Sequence, residues 1–119
     1  MGIRLTVEYK NGVLDFVCQE AMQNQSVRPR QNFPLKGAAL TYICESSGEV
    51  VGAEILRFDE AFPEIVASVE ALGLQSRYDV PQFGLWNAPL EVVLRRCYEE
   101  YVQTEAVTSP RLQREVTGG

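Results

Sequence analysis

Asn11-Gly12 stands between two runs of alternating apolar and polar residues, and it constrains this chain more than any other dipeptide. Asn-Gly is the strongest short hairpin signal, because a two-residue type I′ turn needs a positive φ at both central positions. A turn there pairs Lys10 with Val13, Tyr9 with Leu14, Val7 with Phe16 and Leu5 with Cys18. The large apolar residues then share one face, while Arg4, Thr6 and Glu8 point the other way. The same register sets Glu8 opposite Asp15, where like charges on facing strands oppose each other by roughly a few tenths of a kcal/mol. Two readings of that pair stand open: solvated carboxylates relieved by Arg4 or Lys10, or an acidic patch for a basic partner or a cation.

Ala38 to Phe58 reads as a second hairpin and as the centre of the fold. Gly48 takes the left-handed position of a three-residue loop, pairing Glu45 with Glu49, Ile43 with Val51 and Tyr42 with Gly52. Apolar residues then fall on both faces, which predicts cover on both sides by helices or by a second subunit. Glu54 shares a face with Leu40 and Tyr42. Buried there, it needs a partner such as Arg57, Arg77 or Tyr98, whereas a bulge near Gly52 turns it outward; both remain open.

Between the hairpins, Gln19 to Lys36 is rich in Gln, Asn and Arg. Gln19 to Gln25 suits a short helical turn, and Val27-Arg28-Pro29-Arg30 reads as extended, since residues before proline avoid the helical region. Arg28, Arg30 and Lys36 make this an exposed basic loop or a recognition loop. After the second hairpin, Asp59 to Glu64 is an acidic helix entry with Pro63 near the first helical position. Phe62, Ile65, Val66, Val69 and Leu72 recur at helical spacing up to a stop at Gly73. Leu74 to Ala88 carries Tyr78, Phe83, Leu85 and Trp86 between Pro81 and Gly84, a loop held against the core. Asn87 suits the N-cap of a second helix, whose stripe of Leu90, Val93, Leu94, Cys97, Tyr98, Tyr101 and Val102 is broad enough for the core and a partner subunit. The fold expected is therefore α+β: an antiparallel four-stranded sheet of two hairpins with two amphipathic helices on it. Residues 1–103 make one domain, and 104–119 a disordered tail.

Composition narrows the chemistry. The net charge of -5 argues against a nucleic-acid surface, and the absence of histidine removes the usual general base and the commonest transition-metal ligand. Cys18, Cys44 and Cys97 are odd in number, far apart and without a C-x-x-C pair, which reads as reduced core thiols in a cytoplasmic protein. No apolar run approaches a membrane span, and no metal or cofactor motif stands out. The final Gly118-Gly119 resembles the end of ubiquitin-like modifiers, but a long helix precedes it where those proteins close on a strand.

Glu8-Tyr9-Lys10-Asn11-Gly12-Val13-Leu14-Asp15-Phe16 and Gly48-Glu49-Val50-Val51-Gly52-Ala53-Glu54-Ile55-Leu56 resemble a family of very small bacterial domains of unknown function. Such domains have a first strand ending in tyrosine, a short turn, a second strand, and a hairpin ending Gly-x-Val-Val-Gly-Ile-Glu-Ile-Leu. The resemblance covers the first half of the chain and implies a fold without an activity. The chain departs from the family in the Gln19 to Lys36 segment and in Glu-Ser-Ser-Gly where Asp-x-Asp-Gly is usual.

Two functions remain in view. One is a noncatalytic, homodimeric interaction module that offers an acidic sheet face, or the aromatic Tyr78, Phe83 and Trp86 segment, to a basic protein in the manner of an adaptor, inhibitor or antitoxin. The other is a small hydrolase or ligand-binding domain with Glu54 in a pocket between sheet and helices. The candidate binding residues are Glu8, Asp15, Arg28, Arg30, Glu54, Tyr78, Phe83 and Trp86.

Overall fold

The computed structural model describes residues 2–20, 27–31, 38–45, 47–74 and 76–103. Its strands are β1 (Ile3–Lys10), β2 (Val13–Cys18), β3 (Val27–Gln31), β4 (Ala39–Cys44), β5 (Val50–Ile55), β6 (Arg77–Val80) and β7 (Leu85–Pro89). They form one sheet in the order β3-β4-β5-β2-β1-β6-β7, with β1 parallel to β6 and the other neighbours antiparallel. Among the described residues two helices accompany it, α1 (Phe58–Ala67) and α2 (Leu90–Cys97), and a π-helical stretch, Tyr98–Gln103, continues α2. The class is α+β with two helices, as expected, but the sheet has seven mixed strands instead of four antiparallel ones.

The additional strands come from the segments read as connections. Val27–Gln31 is extended, as expected, and pairs with β4 as an edge strand, where a residue lacking an N–H such as Pro29 is tolerated. The strands β6 and β7 are four and five residues long, and Pro81 and Gly84 interrupt the chain between them, so neither shows a full alternating pattern. The proposed tail at 104–119, Lys36, and most of the expected turn at Gln19 to Gln25 lie outside the described residues.

The first hairpin follows its turn chemistry. Asn11 and Gly12 have φ of 53° and 79°, and every pairing from Leu5 with Cys18 to Lys10 with Val13 matches the expected register. In the second hairpin Gly48 has φ of 75° and Tyr42 faces Gly52, but Ile43 pairs with Val50 instead of Val51. Val51 is the extra residue of a bulge and packs with Cys44, Val17, Val27 and Tyr42, while Val50 turns to the main core. This hairpin is off-centre, because β2 is the middle strand.

The main core lies between the helices and one sheet face. Leu5, Val7, Leu14, Phe16, Ala53 and Ile55 meet Phe58 and Ile65 of α1 and Leu90, Val93, Leu94 and Cys97 of α2. The broad stripe of α2 is taken up inside the chain: Tyr98 stacks on Phe62 of α1 at 4.1 Å, and Tyr101 stacks on Tyr9 at 5.2 Å. The first helix starts five residues before Pro63, after a left-handed Arg57, and ends at Ala67; a 3-10 turn, Val69–Leu72, completes the expected span to Gly73. Pro89, not Asn87, occupies the N-cap position of α2, because Asn87 belongs to β7 with φ of 53° and donates its N–H to Asp79 Oδ1 at 2.8 Å. Among the described residues, no helix is long and apolar enough to cross a membrane.

Candidate functional site

Period-two alternation gives each strand one side chain in two to the face opposite the helices. That face carries Thr6 and Glu8 from β1, Asp15 and Val17 from β2, Glu54 from β5, Tyr42 from β4 and Val27 from β3. Register aligns three of these as a rank: Glu8 faces Asp15, and Asp15 faces Glu54 across the next strand boundary. Three carboxylates thus stand side by side on neighbouring strands. The bulge lies beyond Gly52, so it leaves Glu54 on the face of Tyr42 instead of turning it outward.

Gly52 is where β5 comes closest to β2. It lies between Tyr42 and Val17 in the next rank, and a Cβ there would meet Val17 Cα at 2.7 Å. From β4, the Tyr42 side chain reaches across to Asp15 of β2. Its hydroxyl contacts Asp15 Oδ2 at 2.9 Å and Glu54 Oε2 at 3.1 Å. The partner of Glu54 is therefore Tyr42, not Arg57, Arg77 or Tyr98. Glu45 and Glu49 are exposed residues at the far end of the hairpin, and Asp79 sits on β6, so no further carboxylate of these joins Glu54.

Around the cluster, Thr6, Glu8, Asp15, Val17, Val27 and Tyr42 line a basin of about 270 Å³, neither a closed cavity nor a flat surface. Burial pushes the Asp15 carboxyl above its ordinary range; the Tyr42 hydroxyl opposes that rise, and the Glu54 and Glu8 carboxylates reinforce it. Burial likewise raises the Tyr42 phenol, helped by Asp15 and Glu54, so this tyrosine stays a proton donor. Among the described residues, the ion pairs are Arg28 with Glu45, Arg95 with Glu91 and Arg96 with Glu100, and none reaches the basin. Among the same residues, no set of three or more cysteine and carboxylate side chains is arranged to hold a metal ion.

The structure brings Glu8, Asp15 and Glu54 together and separates the other candidates. Arg28 and Arg30 are exposed on the edge strand β3, Arg28 paired with Glu45 and the Arg30 carbonyl accepting the Thr41 hydroxyl. Tyr78 is a core residue, 1% exposed, and so cannot anchor a partner. Phe83 is half-buried with its ring edge-on to Tyr101, whereas Trp86 on β7 is 61% exposed. Sequence reasoning missed Tyr42, although the hairpin register already made it a diagonal neighbour of Glu54 with a glycine opposite. Thr6 and Val17 face each other in the first hairpin, but only the pairings of β2 with β5 and of β3 with β4, which the sequence does not report, make them and Val27 the walls of one basin.

The thiols offer no nucleophile in this site. Cys97 is fully buried in the main core, and burial pushes its thiol up to about 12; burial and Glu20 raise Cys18. Cys44 is buried in the smaller cluster beneath Tyr42. Compared with known proteins, the chain matches no family model, no curated protein and no solved structure.

Proposed function

We propose that this chain is a noncatalytic, cytoplasmic interaction module that binds a basic protein through the acidic basin. The observation that carries the reading is the rank of Glu8, Asp15 and Glu54 on adjacent strands, with no ion pair to any of them among the described residues. Three carboxylates held in register repel one another, and a lysine or arginine side chain relieves that repulsion while its stem lies on Val17 and Val27. A charged groove with an apolar wall gives orientation and fast association more than raw affinity. The hydrolase alternative asks for an enclosed pocket around Glu54; the basin is not enclosed, which favours binding over catalysis.

Hexa-arginine titrated into the full chain tests this by calorimetry. Binding is expected to weaken steeply with added salt and to disappear in the triple variant E8Q/D15N/E54Q, whose circular dichroism stays that of the native protein. Unchanged affinity in the triple variant would sink the reading. The module is also proposed to be a homodimer, with its contact at Trp86, because the acidic face repels a copy of itself.

A further inference from the structure

The contacts of Tyr42 raise a question of proton count. A phenol has one proton, yet its oxygen lies within hydrogen-bond distance of two carboxylate oxygens at once, 2.9 Å from Asp15 and 3.1 Å from Glu54. With both acids ionised, one proton must be shared between two acceptors. With one acid protonated, both contacts become full hydrogen bonds in a chain. We propose that Asp15, Tyr42 and Glu54 form a proton-linked lock, in which Asp15 holds a second proton that it releases when a cation docks in the basin.

In the closed lock, the Asp15 carboxyl O–H donates to Tyr42 Oη and the Tyr42 O–H donates to Glu54 Oε2. When a guanidinium or ammonium group arrives, Asp15 loses its proton to solvent and the cation takes over the neutralisation. Asp15 is the acid that holds the proton because it alone has a carboxylate on each side, Glu8 of β1 and Glu54 of β5. Tyr42 faces it from β4, and β3 contributes Val27, which does not titrate. Arg4 and Lys10 share the face of Glu8 at the alternate positions of β1, without an ion pair to the cluster among the described residues. The helices pack on the opposite face. The release step rests on the basic-partner reading above; the shared proton does not.

The test is a carboxyl-carbon NMR titration of the full chain. Asp15 is expected to titrate above the ordinary aspartate value of about 3.9, to fall back toward it in Glu54→Gln, and to fall further in wild type when hexa-arginine is added. A second measurement covers stability. The side-chain amide introduced by Asp15→Asn keeps an N–H to donate to Tyr42, so the variant's denaturation midpoint is expected to exceed that of wild type at neutral pH, and the gap to close as pH falls below the Asp15 titration. An ordinary Asp15 midpoint in the free protein overturns the proposal and leaves the basic-partner reading standing if the peptide still binds. A raised midpoint that the peptide does not move overturns the release step and the basic-partner reading together, while the shared proton survives.

Discussion

At the scale of single residues, two positions carry more of the fold than their size suggests. Gly52 lets β5 lie close against β2, and a methyl group there would press on the backbone of Phe16 and Val17 in the neighbouring strand. Gly52→Ala is expected to lower stability by about 3 kcal/mol, the upper end for overpacking a tight site, and to detach Tyr42 from Asp15. Urea denaturation checks the first effect, and the Asp15 titration the second. Asp79 is buried at 7% exposure, and its Oδ1 accepts backbone N–H groups from Gly2 and Asn87. Asp79→Ala strands both donors and is expected to cost about 1–3 kcal/mol, the range for an unsatisfied buried polar group; Asp79→Asn keeps an acceptor and restores most of the loss. Asp15 is the opposite case. Its carboxyl is raised in the folded state, so the native protein binds that proton more tightly than the unfolded chain. Its stabilising contribution is whole below about pH 3.9 and is lost as pH rises through the folded value.

Among the elements, legibility follows locality. The β1–β2 hairpin is readable residue by residue because a two-residue turn and strict alternation point to the same register. The β4–β5 hairpin is readable as far as Tyr42, where the bulge at Val51 breaks a pairing that the sequence does not mark. The insertion of β2 between β5 and β1, and the parallel joining of β6 to β1, depend on contacts between residues far apart in the chain, and no period reports them. Half of the site is therefore visible as the Glu8–Asp15 pair; its extension to Glu54 needs the strand order. The start of α1 departs from expectation for a similar reason. Arg57 adopts φ of 49° so that the chain turns off β5, with the Phe58 N–H donating to the Gly12 carbonyl of the other hairpin. A left-handed residue with a side chain is strained, so Arg57→Gly is expected to raise stability by about 0.5 kcal/mol despite the added freedom of the unfolded chain. Thermal denaturation checks the sign: a fall would mean that the Arg57 side chain stabilises the junction.

For the molecule as a whole, the proposed homodimer needs a surface that admits a second copy. Edge strands invite pairing, and both edges here resist it: β3 has Pro29 between two arginines, and β7 ends in Pro89 and bends at a bulge opposite Asp79. The acidic face repels its own copy at neutral pH, where a net charge of -5 adds to the local repulsion. Trp86 remains, at 61% the most exposed of the large apolar side chains among the described residues. An exposed indole is a strong anchor when it enters a pocket of a partner surface. Light scattering across a dilution series is expected to give twice the chain mass of 13.3 kDa, and Trp86→Glu to return a single chain with unchanged circular dichroism. A wild-type protein that stays at one chain mass at the highest concentration would exclude the homodimer. A dimer that survives Trp86→Glu but dissociates as pH rises through the Asp15 titration would move the contact to the acidic face, where protonation of the rank is what lets two copies approach.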